Sequence, residues 1–168
     1  MRIAGLVQDS IVDGPGLRFV VFTQGCDLDC NGCHNPAARG NLGGSEMTVE
    51  EIIAEMSRNP LTDGLTLSGG EPSMQAAGCA QLASAARTKG LSVWMYSGYT
   101  FEELISRAKA EPDVRELLEL IDVLVDGRFK LEERTLSTRW RGSQNQRVLD
   151  VQKSLAQGSA VQLQDLNA

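Results

Sequence analysis

The sequence predicts an α/β protein, an open partial (β/α) barrel with a mainly parallel sheet. Three observations point there. Four short apolar runs, rich in β-branched and aromatic residues, recur along the chain, and each leads into a segment with helical patterning. The chemically unusual residues fall at the C-terminal ends of those runs, at 26–33, 69–71, 97–99 and 126–127. Parallel α/β sheets bind their ligands at those ends. Finally, 168 residues make one domain. A closed eight-stranded barrel takes about 250. The missing strands leave either a short open sheet or a barrel with a lateral gap wide enough for a macromolecule.

The elements follow in order. "LRFVVFTQG" (17–25) reads as a buried strand that ends on Gly25, directly before the first cysteine. A helix follows over 48–58: Thr48 and Glu51 make a capping box, and Val49, Ile52, Ile53 and Met56 recur at helical spacing. "DGLTLSGG" (63–70) is a second strand running into a glycine pair. The alanine-rich stretch 73–89 is helical, with Gly90 as its stop. "LSVWMYSGY" (91–99) is a third strand, and Thr100 with Glu103 caps a helix to about residue 110. Pro112 opens a short helix to Leu120, and "IDVLVDG" (121–127) is a fourth strand. From 148 onward the periodicity is weak. An edge strand or short helix is expected there, with a loosely ordered tail over about 150–168 of a single domain spanning 1–168.

Composition narrows the function. The formal charge is −6 and the pI about 4.8, which argues against sequence-independent binding to nucleic acid or to an anionic membrane. Arginines cluster at 134–147, so a local anion site stays open. No stretch approaches the roughly 20 apolar residues of a membrane span, and "MRIAGLVQDS" lacks the pattern of a signal peptide. A cytoplasmic setting follows, in which four cysteines read as metal-binding or catalytic.

Three of those cysteines lie in "GCDLDCNGCHNP" (25–36), at Cys26, Cys30 and Cys33. Buried structural cysteine, structural zinc and an iron–sulfur cluster with one open iron are the competing readings. Zinc wants four ligands. His34 stands awkwardly beside Cys33, and Cys79 falls inside the 73–89 helix, where a small apolar role suits it better. Electron-transfer clusters take four cysteines, so three favour a cluster that binds substrate or cofactor at the vacancy.

Cys-x3-Cys-x2-Cys after the first strand, with "GGEP" (69–72) after the next, resembles the radical S-adenosylmethionine superfamily. "DGPGLR" (13–18) and "CHNP" (33–36) narrow the resemblance to the glycyl-radical-enzyme activases. "YSGY" (96–99), "DVLVDGRF" (122–129) and "RGSQNQR" (141–147) are similar to the activating proteins of the anaerobic ribonucleoside-triphosphate reductases. Activation of another glycyl-radical enzyme, such as pyruvate formate-lyase, is the near alternative. A non-catalytic zinc-stabilised interaction domain and a simple ferredoxin are the alternatives from other classes.

The resemblance implies a [4Fe-4S] cluster on Cys26, Cys30 and Cys33 whose open iron chelates S-adenosyl-L-methionine. Reductive cleavage then gives methionine and a 5′-deoxyadenosyl radical, which takes a hydrogen atom from a glycine of the partner, the glycyl-radical subunit of the reductase. A low-potential flavodoxin or ferredoxin is the implied electron donor. Among candidate cofactor contacts, Gly69 and Gly70 would admit backbone to the methionyl group, and Glu71 would accept from its ammonium. Ser97 and Gly98 would lie near the ribose, and Asp126 near the cofactor or a cation. Glu71 has a second reading as a helix-start carboxylate. Superfamily members often carry an aromatic residue just before the third cysteine. Here that position is Gly32, and the ring comes after Cys33, at His34, the candidate for the adenine. Arg139, Arg141 and Arg147 could bind a carboxylate or dock an acidic surface of the partner. No residue reads as a general acid or base.

Overall fold

The computed structural model describes residues 1–163. Within them are seven strands, β1 (Arg2–Ser10), β2 (Arg18–Thr23), β3 (Ser45–Glu46), β4 (Gly64–Gly69), β5 (Ser92–Ser97), β6 (Val123–Asp126) and β7 (Arg147–Asp150). The five α-helices are α1 (Val49–Met56), α2 (Ala76–Thr88), α3 (Phe101–Arg107), α4 (Pro112–Leu120) and α5 (Val151–Gln157). One sheet holds all seven strands in the order β3-β1-β2-β4-β5-β6-β7. The four runs read from the sequence are its parallel centre, β2, β4, β5 and β6. At the flanks β1 with β2, β1 with β3 and β6 with β7 pair antiparallel, around the parallel centre that the expected mainly parallel sheet requires.

Side-chain alternation sorts the sheet into two faces. Phe19, Val21, Leu65, Leu67, Val93, Met95, Leu124 and Leu149 point to the helices and pack with residues of all five, among them Ile52, Leu82, Leu104, Leu118 and Val151. Burying each such side chain stabilises the fold by roughly 1.5–3 kcal/mol. On the opposite face Trp94, Val123, Val125 and Val148 form a smaller cluster against which Tyr96 and Trp140 rest. Loops cover this face. Its base is closed by Arg18, fully buried, which donates to Thr66 Oγ1 (3.0 Å), Ser92 Oγ (2.6 Å) and the carbonyls of Leu65 and Ser92, 5.8 Å from the Trp94 ring. Burial lowers its pKa to about 10, so it stays charged at neutral pH.

Both capping boxes form: Thr48 and Glu51 open α1, and Thr100 and Glu103 open α3. Gly90, at φ 75°, ends the turn after α2. A short 3₁₀ turn, Pro72–Gln75, precedes α2; Gly70 and Glu71 lead to it from the end of β4, and Pro72 takes its first position. In the segment expected to begin the tail, the chain forms α5 and then a bridge from Gln162 back to Leu149. Residues 164–168 of that expected tail lie outside the described residues.

Candidate cofactor site

The cysteine loop leaves β2 through Gly25, at φ 101°. It is closed at its base by two backbone bonds, Gly25 N to Ala38 O (2.7 Å) and Cys26 N to Arg39 O (3.0 Å). Buried Gln24 adds side-chain donation to the carbonyls of Ala37 (3.0 Å) and Gly40. The three thiols therefore ride on a tied loop of 14 residues rather than on a free strand end.

Three glycines seat this loop. A Cβ on Gly70 would overlap the carbonyl oxygens of Gly25 and Ala38; one on Gly98 would strike Leu28; one on Gly142 would strike the His34 ring. Leu28 is buried and anchors the loop between the cysteines. These glycines thus make room for the protein's own loop. Close approach of a cofactor, the expected use of Gly69 and Gly70, is compatible, since Gly69, Gly70, Gly98 and Gly142 also line the cavity. Gly70→Ala should cost about 2–3 kcal/mol, because backbone oxygens on both sides cannot yield. Gly40→Ala, with open space at its Cβ, should change little; thermal denaturation of the two variants compares them.

The cavity measures about 400 Å³. Cys26, Cys30, Cys33 and His34 border it on one side, Gly69, Gly70, Ser97 and Gly98 on another. Its floor is the loop-covered face of the sheet at Phe22, Ser68 and Tyr96, and Phe129 and Gln146 close the edge. The sequence reading did not single out these last five as contacts. For three of them the signal was strand parity: Phe22, Ser68 and Tyr96 alternate with core residues on strands that end at the motifs, whereas Phe129 and Gln146 lie in loops.

The candidate residues divide. Cys26, Cys30, Cys33, His34, Gly69, Gly70, Ser97 and Gly98 come together at the cavity; Gly32, Glu71 and Asp126 do not border it. Gly32 sits at φ 72° in a turn against Leu131. Glu71 is buried behind the wall and its oxygens are engaged. They accept from Ser73 N (3.0 Å) and Oγ (2.7 Å), Ser97 Oγ (3.0 Å) and Gly98 N (2.9 Å). Burial pushes its carboxyl up, and these donors pull it back. As the residue before the Pro72–Gln75 turn it fills the helix-start role, and it also ties the end of β5 to that of β4. Asp126, equally buried, accepts from Phe101 N (2.7 Å) and from Arg147 Nε (2.9 Å).

The segment 141–147 acts as a strap. Arg147 also reaches Glu102 (2.7 Å). Gln146 accepts from Gly142 N (2.8 Å) and donates to Gly127 O (3.0 Å), and Asn145 donates to Arg128 O (2.9 Å). Arg141 donates to Gln146 O (3.2 Å). The carboxylates that Arg147 binds here are the chain's own. The strap carries Gly142 to His34, whose ring lies 4.2 Å from that of Phe129.

All four cysteines are free thiols. Cys26, Cys30 and Cys33 are partly exposed at the cavity, and burial raises the pKa of Cys26 and Cys30. Cys79 lies wholly inside the helical core, its thiol pushed up to about 12 by burial, away from the cavity. Among the described residues no three His, Cys, Asp or Glu side chains are gathered tightly enough to hold a metal ion as they stand. What fits an iron–sulfur cluster is the donor set and its setting: three soft thiolate donors on one anchored loop, facing a cavity with room for both cluster and ligand.

That fold and that thiol-bearing cavity agree with a class: the model of the 4Fe-4S single cluster domain matches residues 12–149. The chain is 38% identical over 144 residues to the anaerobic ribonucleoside-triphosphate reductase-activating protein of Vibrio cholerae, covering 81% of this chain and 89% of that one. It is 35% identical to the protein of the same name in Enterobacteria phage T4 (82% and 86% covered) and 32% identical to that of Escherichia coli K12 (82% and 91%). The chain belongs to the family of anaerobic ribonucleoside-triphosphate reductase-activating proteins, iron–sulfur proteins with a single 4Fe-4S domain.

Proposed function

We propose that this chain activates an anaerobic ribonucleoside-triphosphate reductase by generating a glycyl radical on it, using S-adenosylmethionine and a [4Fe-4S] cluster held by Cys26, Cys30 and Cys33. One observation carries the reading. The three thiols and the ends of β4 and β5 open on a single cavity, in a chain whose relatives are named for that activation. Bound there, the cluster and S-adenosylmethionine supply a reductively cleavable carbon–sulfur bond as the source of the hydrogen-abstracting radical.

The chain's own residues bind, orient and exclude water. The cysteines hold the metal. Gly69, Gly70, Ser97 and Gly98 wall the methionyl and ribosyl end, and His34, braced by Phe129, offers its ring to the adenine, with Gly32 setting the turn before it. Ser97 donates its hydroxyl to Glu71, which orients the wall from behind; Asp126 does the same for the β6 end through Phe101 N and Arg147. Phe22, Tyr96 and Phe129 give the cavity an apolar side that keeps water from the radical. We read the sheet as an open partial barrel of the radical S-adenosylmethionine type and residues 1–168 as one such domain. The loop-covered face and its antiparallel flanks support this. Low-potential flavodoxin or ferredoxin supplies the electron, and the setting is cytoplasmic, without nucleic acid or membrane partners. No helix among the described residues is long and apolar enough to cross a membrane.

Protein reconstituted anaerobically with iron and sulfide, then reduced with dithionite, should convert S-adenosylmethionine to methionine and 5′-deoxyadenosine in equal amounts. Intact S-adenosylmethionine after reduction would overturn the reading.

A further inference from the structure

The cysteine loop is tied at its base, and it is also gripped beside its first thiol by a residue that does not border the cavity. Tyr99, just past the end of β5, donates its hydroxyl to Asp27 Oδ2 at 2.6 Å, across 72 positions of sequence. Asp27 directly follows Cys26. The next residue, Leu28, is the buried anchor that occupies the place of a Cβ on Gly98. Two consecutive residues of the loop, 27 and 28, therefore meet two consecutive residues of the strand end, 99 and 98. On its other side Cys26 is held by its own N–H on Arg39 O (3.0 Å). Its backbone is clamped from both directions.

The grip is itself oriented. Tyr99 N donates to Ser97 Oγ (3.1 Å), and that hydroxyl and Gly98 N donate to Glu71. Two cations steady the ring: the Arg107 guanidinium lies over it, 4.8 Å from its centroid, and that of Arg128 lies 5.7 Å away. Arg107, at the end of α3, is fixed in turn by Glu111 (2.9 Å) and by Ser73 Oγ (2.8 Å), the hydroxyl that Glu71 also accepts from. Glu71 thus organises the wall at Ser97 and Gly98 and, through Tyr99, the loop segment that carries Cys26. Burial and the bond to Asp27 raise the phenol to about 12, so at neutral pH it keeps the proton it donates. A phenol donating to a carboxylate makes a charge-assisted bond, stronger than a neutral one. Packing alone would need the ring and not the hydroxyl.

We propose that Tyr99 is a positioning residue of the cofactor site: acting through Asp27, it holds Cys26 in fixed register with the wall at Ser97 and Gly98. The inference rests on the function proposed above, in which Cys26 holds the cluster and that wall takes S-adenosylmethionine. A ligand that meets the metal at one end and the strand ends at the other binds well only where the spacing between them is fixed.

Tyr99→Phe tests it, since the ring and its two cations stay and only the hydroxyl goes. Asp27→Ala removes the acceptor, and Asp27→Asn keeps one. In anaerobically reconstituted protein, Tyr99→Phe and Asp27→Ala should release iron to a ferrous chelator about five- to tenfold faster, the size of one such hydrogen bond partly open to water. The S-adenosylmethionine needed for half of its effect on the EPR spectrum of the reduced cluster should rise by a similar factor. The double variant should be no worse than either single one, and Asp27→Asn should stay within about twofold of the unaltered protein. The metal-free Tyr99→Phe protein should melt within about 4 °C of the unaltered one. Unchanged iron release and unchanged S-adenosylmethionine demand in Tyr99→Phe would overturn the proposal. So would additive losses in the double variant, or losses that only follow a fall in Tm. If the unaltered protein holds a cluster but leaves S-adenosylmethionine intact, the activase reading fails, while iron release still decides the role of Tyr99. If it takes up no iron, both fail.

Discussion

Replacing Cys26, Cys30 or Cys33 by serine, one at a time, should abolish the iron and sulfide content and the brown absorption of the reconstituted protein. Cys79→Ser and Cys79→Ala should leave both. The three loop thiols border one cavity, and a site with only three protein donors has none to spare, because each lost thiolate leaves a further iron unheld. Cys79, on the buried face of α2, belongs to the core cluster that includes Leu82 and Met95. Serine there puts a hydroxyl into apolar packing at a cost of about 1–3 kcal/mol in stability, without touching the metal. Alanine costs less and serves as the folding control. Loss of the cluster on changing Cys79 would restore the four-cysteine electron-transfer reading. One zinc per chain, without iron or sulfide, would instead restore the interaction-domain reading.

The second large effect is expected at Glu71, a residue buried behind the cavity wall. Glu71→Ala removes the acceptor from Ser97 Oγ, Gly98 N and Ser73 N and Oγ in one step, and Arg107 reaches the same Ser73 hydroxyl (2.8 Å). Donors left buried without partners cost about 1–3 kcal/mol each, less where water enters. A total near 3 kcal/mol lowers Tm by roughly 6–12 °C in a chain of this size. Activity should fall further than stability explains, because the ends of β4 and β5 lose their common tie. Burial raises the Glu71 carboxyl above its ordinary value, so the folded protein holds this proton more tightly than the unfolded chain. The stability from that difference is complete below the unfolded pKa and is lost as pH rises through the folded one. Glu71→Gln does not titrate, so its Tm relative to the unaltered protein should rise across that interval. A flat difference would show that the donors fully offset the burial.

What could be read from the sequence follows local physics. β2, β4, β5 and β6 are buried on both faces, and such strands appear as near-continuous apolar runs. The capping boxes of α1 and α3 need only residues three apart. β1 gave no such signal. Only Ile3 and Ser10 are buried along it, and two register shifts break its alternation. β7 is four residues long and pairs antiparallel at the edge, where its pattern is too short to see.

At the site, the thiols were legible because they lie within eight positions. The engagement of Glu71 by Ser97, 26 residues on, and of Asp126 by Arg147, 21 residues on, was not, since only the fold brings those pairs together. The same holds for the glycines. A motif shows that Cβ is forbidden at Gly70 or Gly98; only the fold shows that Gly25 and Leu28 are what forbid it.

The central claim is that these residues form a glycyl-radical activase. Its most direct test is an anaerobic incubation of the reconstituted, reduced protein with S-adenosylmethionine and its anaerobic ribonucleoside-triphosphate reductase, followed by low-temperature EPR. The expected result is a glycyl-radical doublet on the reductase, with 5′-deoxyadenosine formed alongside it and neither seen with Cys30→Ser. Cleavage of S-adenosylmethionine without any doublet on the reductase, while the doublet appears on another glycyl-radical enzyme, would contradict the assignment.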